Sequence, residues 1–228
     1  MIEVAGVSHV YGEGDRARTV LRDVDVSLDE RRVAVVGANG SGKSTFARLL
    51  NGLVLPTTGT VRVDGLDTRR DARAVRRRVG FCFTNPDAQI VMPTVREDVA
   101  FGLRRRDLAR GEAARRVGAA LDRFGLAGHA DHPAHLLSGG QKQLLALASV
   151  LVTEPDVLVL DEPTTLLDLR NTRMIAALLE TLDQQVVLVT HDLDLAATYE
   201  RVLVFHEGAL VHDGAPAPAI AHYRALMG

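Results

Sequence analysis

The sequence is poor in cysteine, lysine and aromatic residues, and it has no tryptophan. Cys82 is the single cysteine among 228 residues, which excludes an intrachain disulfide and favours a reducing compartment. A large excess of charge is missing too, since 27 basic and 29 acidic residues leave a formal net charge of −2. A net charge this close to zero argues against a protein that binds nucleic acid over its whole surface.

Long apolar runs are also absent. No stretch approaches the roughly 18 apolar residues expected of a membrane-spanning helix. The amino-terminal segment MIEVAGVSHVYGEGD lacks the basic-then-apolar profile of a secretory signal peptide. These two observations predict a cytoplasmic protein.

Lysine occurs only at Lys43 and Lys142, whereas the other 25 basic residues are arginines. A general preference for arginine explains most of this bias. A position that retains lysine nevertheless becomes a candidate for a role that a guanidinium cannot fill, because lysine carries a compact ammonium on a flexible stem.

Hydrophobic patterning predicts an α/β fold. Residues alternate between apolar and polar over 2–11 and 20–30, as in half-buried antiparallel strands. Segments at 33–36, 156–160 and 186–189 each contain four consecutive apolar residues, which is typical of buried parallel strands. They alternate with segments of helical composition at 45–50, 111–124, 138–152 and 172–182, which predicts a mainly parallel central sheet. The basic stretches at 69–78 and 104–106 are interpreted as solvated helix faces.

A phosphate-binding loop is predicted between the strand at 33–36 and the following helix. The segment GANGSGKS at 37–44 satisfies the pattern G-x-x-x-x-G-K-[ST]. Glycines allow successive backbone N–H groups to approach a phosphate, and the helix adds its positive dipole end. Lys43 can then reach the outer phosphates, and the Ser44 hydroxyl can ligate magnesium. An accidental glycine-rich turn is the alternative interpretation.

Acidic residues and a histidine follow two other buried strands. Asp161 and Glu162 end the segment VLVLDE, and His191 follows VVLVT. Ligand sites in parallel sheets lie at the carboxyl ends of the strands. Asp161 is therefore placed to hold magnesium through water, and Glu162 to orient or deprotonate an attacking water.

The segment Leu137–Gln141, LSGGQ, carries a family signature. With the phosphate loop and the acidic strand end, it identifies the chain as a member of the ATP-binding cassette (ABC) ATPases, which it resembles over about residues 2–213. The resemblance implies a P-loop ATPase fold with an antiparallel β subdomain and a helical subdomain, at about residues 85–152, that carries the signature. The whole chain, 1–228, is then one nucleotide-binding domain.

The family pattern also implies roles for individual residues. Catalysis is expected of Glu162, His191 and Lys43, with Asp168 in the loop after the acidic strand. The ATP-binding residues implied are Tyr11, which stacks on adenine, and Gly37, Ala38, Asn39, Gly40, Ser41, Gly42, Lys43, Ser44 and Thr45. The signature residues Ser138, Gly139, Gly140 and Gln141 are expected to cover ATP held by a second ATPase subunit, identical or not. The magnesium ligands implied are Ser44, Asp161 and Thr84.

Thr84 departs from the family pattern, in which a glutamine follows this strand and contacts magnesium and the attacking water. A threonine hydroxyl is an oxygen ligand that magnesium accepts, but it is shorter. We expect this replacement to reduce or retune hydrolysis without eliminating it.

The segment from Asn85 to Gly102 is similar to that of the ATPases of energy-coupling factor importers, which power uptake of vitamins or metal ions. The resemblance implies a groove for a transmembrane coupling protein, which works with a substrate-binding membrane protein, and a position at the cytoplasmic face of the inner membrane. The short carboxyl end and Thr84 resemble the biotin type most, and the cobalt or nickel type and importers of other vitamins stay open as alternatives.

Other members of the family fit the sequence less well. A DNA-repair or chromatin cassette needs a long coiled-coil insertion before the signature, and a translation-factor cassette normally carries each motif twice. A nucleotide-gated scaffold with weak hydrolysis stays open because of Thr84, although Lys43, Glu162 and His191 argue against it. An exporter cassette also stays open.

Overall fold

The computed structural model describes residues 1–104 and 106–228, which form two compact units. The first unit comprises residues 1–79, 157–162 and 183–228, and the second comprises 80–156 and 163–182. No helix among the described residues is both long and apolar enough to span a membrane. The predicted organisation, one domain over 1–228 with a helical subdomain at about 85–152, stays a prediction.

An antiparallel sheet of four strands forms one part of the first unit. Its strands are β1 (Ile2–Tyr11), β2 (Arg18–Leu28), β4 (Thr58–Val63) and β5 (Leu66–Asp67), in the order β2-β1-β4-β5. Ile2, Val4 and Val7 of β1 are buried, whereas their neighbours in sequence are more exposed. The antiparallel pairing predicted from the alternation is confirmed.

A mainly parallel sheet forms the other part of the first unit. Its strands there are β3 (Arg32–Gly37), β7 (Val157–Asp161), β8 (Gln185–Val189), β9 (Arg201–His206) and β10 (Ala209–Gly214), in the order β10-β9-β3-β8-β7. β3 runs parallel to β8 and β9, and β8 runs parallel to β7. All five residues of β7 are buried, as continuous apolar strands require. The predicted α/β fold with a mainly parallel sheet is confirmed.

The first unit contains four α-helices, namely α1 (Lys43–Leu50), α2 (Ala72–Arg78), α7 (Leu193–Ala196) and α8 (Pro216–Met227). α2 keeps Val75 buried and exposes its three last arginines, so this part of the first basic stretch is the solvated helix face that was predicted.

Helices dominate the second unit. They are α3 (Val95–Phe101), α4 (Glu112–Arg123), α5 (Gly139–Leu151) and α6 (Leu169–Glu180), and the strand β6 (Val79–Cys82) begins at the boundary between the units. α6 begins three residues before the predicted start, because Asp168 accepts a hydrogen bond from Asn171 N–H and caps it.

The helix face predicted for 104–106 is wrong at Arg104, which lies in a turn after α3. Arg105 lies outside the described residues.

Candidate nucleotide site

The predicted phosphate loop joins β3 to α1 at the carboxyl edge of the parallel sheet. Gly42 caps α1 in the left-handed conformation, with φ 101°. A Cβ atom there would lie 2.7 Å from Leu21 Cδ2 and 2.8 Å from the Val20 carbonyl oxygen. Both the conformation and the close approach therefore require glycine. The turn between β9 and β10 supports the loop, because Gly208 N–H donates to the Ser41 carbonyl.

Lys43 is buried beneath this loop, with 5% of its surface exposed. Its ammonium donates to the carbonyl oxygens of Gly37 and Ala38, at 2.7 and 3.0 Å. Burial lowers the pKa of Lys43, although the neighbouring carboxylates of Glu162 and Asp161 oppose that effect. The ammonium therefore lies within the loop, where a bound phosphate can replace the two carbonyl oxygens as its partner.

Asp161, at the end of β7, lies against the start of α1. Its Oδ1 accepts a hydrogen bond of 2.8 Å from the Ser44 hydroxyl, and Arg48 Nη2 lies 3.6 Å from its Oδ2. Burial raises the pKa of this carboxyl, and the hydrogen bond from Ser44 and the charge of Arg48 oppose the rise. The Ser44 hydroxyl and the Asp161 carboxylate thus lie side by side next to the phosphate loop, and both can serve as oxygen ligands of a metal ion.

Glu162 follows Asp161 with a left-handed backbone, at φ 52°. Its N–H donates to the Val189 carbonyl at the end of β8, and this bond fixes the turn. Glu162 Oε2 lies 3.3 Å from His191 Nδ1, so the histidine contacts the carboxylate. A glutamate held in a sparsely populated conformation at the edge of a cleft is a candidate for function.

A cleft of about 380 Å³ opens beside these groups. Tyr11 and Arg18, which face each other across β1 and β2, lie at one side of it, and Glu162 lines it as well. The Arg18 guanidinium lies 4.0 Å from the position of a Cβ atom on Gly40. Sequence reasoning did not identify Arg18, because register shifts in β1 decide which residue faces Tyr11.

We predict that Arg18→Ala raises the KM for ATP about fivefold with kcat unchanged, the effect of losing an exposed contact to a charged ligand. Steady-state ATPase assays on the full chain measure both constants. Arg18→Lys keeps the charge and should recover part of the loss, and Arg62→Ala, an exposed arginine of β4, is the matched control. A rise in KM for Arg62→Ala of equal size would contradict a specific role for Arg18.

The signature segment forms the amino-terminal end of α5 in the second unit. The Ser138 hydroxyl accepts from Gln141 N–H, and Ser138 N–H donates to Gln141 Oε1 at 2.9 Å. These reciprocal bonds form a capping box, which leaves other backbone N–H groups of the first turn directed at the helix end. Ser138 and Gly139 are exposed. This end of α5 can therefore bind an anion supplied from outside the chain.

Asn171 links the signature helix to the cap of α6. A Cβ atom on Gly140 would lie 2.6 Å from Asn171 Cγ, so a larger residue at Gly140 would displace this side chain. The same Asn171 donates its N–H to Asp168 Oδ1, at 2.8 Å. The predicted signature and the loop at Asp168 are thus brought together within the second unit.

Thr84 follows β6 and is half-buried. A glutamine does occur five residues later, but the amide of Gln89 is already engaged. It accepts from Phe83 N–H at 3.2 Å and donates to the Ala146 carbonyl at 3.1 Å. Gln89 therefore joins the end of β6 to α5 and does not substitute for the glutamine that the pattern has at Thr84.

The two units divide the predicted site residues between them. The first unit brings together a set around the phosphate loop: Tyr11, Gly37, Ala38, Asn39, Gly40, Ser41, Gly42, Lys43, Ser44, Thr45, Asp161, Glu162 and His191. The second unit contains Thr84, the four signature residues and Asp168. Among the residues that the structure describes, no three His, Cys, Asp or Glu side chains lie together as a metal-binding group.

Comparison with known proteins identifies the family of this chain. The family model described as "ABC transporter" matches residues 21–165. A protein of Deinococcus radiodurans, named only as an ABC transporter ATP-binding protein, is 57% identical over 100% of this chain and 99% of its own. The biotin transport ATP-binding protein BioM of Rhizobium etli is 49% identical, over 98% of this chain and 97% of its own.

Solved structures show the same likeness. The structure of cbiO1 from Clostridium perfringens, titled as part of the ABC transporter complex cbiONQ, superposes with a TM-score of 0.84. It is 31% identical and covers 99% of this chain and 92% of its own. The ATP-binding cassette MJ0796, in a dimeric post-hydrolysis state with ADP and phosphate, also gives a TM-score of 0.84, at 29% identity over 95% of this chain and 99% of its own.

Proposed function

This chain belongs to the ABC transporter ATPases, and from that premise we propose that it is the ATP-hydrolysing subunit of an energy-coupling factor importer that carries biotin. It is an ATPase whose hydrolysis of ATP is coupled to transport. The observation that supports the importer class best is the likeness to BioM over nearly the full length of both chains. A likeness to the energy-coupling factor protein EcfA1 of Symbiobacterium thermophilum, 46% identical over 96% of this chain, supports the class without the substrate.

The phosphate loop and the acidic strand end divide the chemistry between them. The loop N–H groups and Lys43 bind the outer phosphates of ATP. Glu162 positions an attacking water and accepts its proton, and His191 holds the Glu162 carboxylate through the contact of 3.3 Å. Tyr11, 41% exposed at the edge of the cleft, is available to stack on the adenine.

Magnesium fits the oxygen pair formed by Ser44 and Asp161. Their hydrogen bond of 2.8 Å sets a hydroxyl beside a carboxylate, the donor set that this ion accepts. When bound, the ion supplies positive charge to the phosphate oxygens. We propose that Ser44 ligates it and that Asp161 holds it through water.

A second copy or a related ATPase subunit completes the site. The signature end of α5 presents Ser138 and the N–H groups of Gly139 and Gly140 to the γ-phosphate held by the other subunit. Closure of the two subunits drives the transmembrane coupling protein, and hydrolysis releases it. We place the pair at the cytoplasmic face of the inner membrane.

Co-purification from native membranes tests the importer class. We expect a transmembrane coupling protein and a substrate-binding membrane protein to co-purify with the tagged chain, and radiolabelled biotin to bind to the substrate-binding protein. Binding of Co²⁺ or Ni²⁺ instead would support the cobalt or nickel type. Recovery of a single exporter-type membrane protein would overturn the importer class.

Thr84→Gln tests the residue that departs from the family pattern. A glutamine reaches farther than threonine, so we expect a higher rate of hydrolysis and a lower Mg²⁺ concentration for half-maximal activity. The hydrolysis rate and the half-maximal Mg²⁺ concentration are both measured by titrating the ATPase reaction with Mg²⁺. Thr84→Val, which removes the hydroxyl at the same size, should lower the rate. If Thr84→Gln changed neither rate nor Mg²⁺ dependence, the role of Thr84 would be refuted. A wild-type rate below the detection limit would favour a nucleotide-gated scaffold.

A further inference from the structure

A chain of hydrogen bonds connects the signature helix to two histidines in the preceding loop. Gln141, which caps Ser138, also lies 3.0 Å from His129, between the amide Nε2 and the ring Nε2. His129 Nδ1 lies 3.3 Å from His132 Nδ1, and the two rings meet edge to face. Gln141 is therefore held from both sides, by Ser138 and by His129.

The direction of each bond follows from the donors available. The Ser138 N–H can only donate, so the Gln141 oxygen faces it and the amide NH₂ faces His129. His129 Nε2 must then accept, which makes the ring neutral with its proton on Nδ1. That proton is donated to His132 Nδ1. No other orientation of the Gln141 amide satisfies both of its neighbours.

The loop that carries His129 is itself anchored within the second unit. Arg96 N–H donates to the Ala130 carbonyl at 2.9 Å, and Val95 N–H donates to the His132 carbonyl at 3.2 Å. Ala134 N–H donates to the Pro93 carbonyl, at 2.9 Å. His129 is consequently presented to Gln141 from a fixed backbone, so its lone pair selects one orientation of the amide.

We propose that His129 is a positioning residue for the signature motif. It holds Gln141 in the orientation that caps Ser138, and thereby fixes the helix end that meets the second subunit's ATP. The proposal rests on the proposed function of the signature. Loss of the His129 acceptor frees the Gln141 amide to turn, and the Ser138 N–H then loses its partner. The phosphate loop lies in the other unit, and we expect ATP binding by the same chain to stay unchanged.

The test compares four variants of the full chain, assayed as the complex with its co-purified partners. His129→Leu removes the acceptor, whereas His129→Gln places a carbonyl oxygen near the former Nε2 position. We expect His129→Leu to lower kcat about fivefold, the effect of one lost hydrogen bond, at an unchanged KM for ATP. His129→Gln should restore kcat. His135→Gln, at an exposed histidine of the same loop, should match the wild type.

Thermal melting shows whether His129→Leu is folded, and a folded variant with wild-type kcat overturns the proposal. So does an equal loss of kcat in His129→Gln, because it would mean that the ring acts through packing. Ser138→Arg, which blocks the signature end of α5, tests the proposed function of the signature separately from the role of His129. If it abolishes turnover while His129→Leu is fully active, the signature acts as proposed and His129 does not position it. If Ser138→Arg is fully active as well, the proposed role of the signature is refuted.

Discussion

Glu162→Gln should lower the ATPase rate about a thousandfold and leave ATP binding intact, because a neutral amide of the same shape cannot accept the proton of the attacking water. The residue lies where such a base is needed, at the carboxyl end of β7 beside the phosphate loop, with its carboxylate 3.3 Å from His191. Removing its charge also removes one of the two carboxylates that oppose the lowering of the pKa of Lys43. Asp161 remains, so the ammonium keeps a counter-charge for ATP binding.

The measurement pairs a phosphate-release assay with equilibrium binding of a fluorescent ATP analogue. Since the proposed function has hydrolysis release the closed pair, we also expect ATP to shift Glu162→Gln toward a dimer in size-exclusion chromatography. Glu207→Gln is the matched control, since Glu207 is exposed and shares the left-handed backbone, at φ 47°. Hydrolysis at the wild-type rate by Glu162→Gln would refute the assigned role, and loss of ATP binding would show that Glu162 acts in binding.

The positions of the phosphate loop and the acidic strand end could be predicted from the sequence because both depend on local pattern. Buried parallel strands appear as continuous apolar runs, and their carboxyl ends meet at one edge of the sheet. That geometry brings Ser44 and Asp161, 117 positions apart, within 2.8 Å. A spacing pattern and a topology rule are sufficient for this inference.

Arg18 and His129 could not be predicted in the same way. Arg18 reaches the cleft only because register shifts in β1 set Tyr11 opposite it, and such irregularities leave no periodic signal. His129 meets Gln141 because the 3₁₀ turn at Ala127–His129 and the contacts of α3 with the loop place it there. A histidine twelve positions from a glutamine has no pattern of its own in a single sequence.

Lys142 shows how the structure resolves a question that composition raises. Its ammonium forms an ion pair with Asp87, at 2.7 Å, and the Asp87 side chain is 61% exposed. The Lys142 side chain is 17% exposed, and an ion pair whose carboxylate is open to solvent contributes little to stability. The two lysines of the chain are therefore not equivalent, because Lys43 is enclosed by the loop whereas Lys142 holds a surface carboxylate.

Lys43→Arg should lower kcat/KM for ATP about a thousandfold, the scale of losing a charged donor from a preorganised site. The substitution keeps the positive charge, in a chain that uses arginine almost everywhere else. The guanidinium is planar and wider than an ammonium, and it cannot occupy the enclosed position where Nζ lies 2.7 Å from the Gly37 carbonyl. It must either leave the loop or displace the loop N–H groups that bind phosphate, and both lower affinity and rate.

Lys142→Arg is the matched control, because the same change at the Asp87 pair keeps both charge and partner. We expect its kcat/KM to stay within about twofold of the wild type. Circular dichroism and thermal melting establish that Lys43→Arg is folded, and Lys43→Met supplies a second variant that fits the loop without charge. A folded Lys43→Arg with normal kcat/KM would mean that any cation suffices at the phosphate loop. Retention of lysine at this position would then reflect composition rather than chemistry.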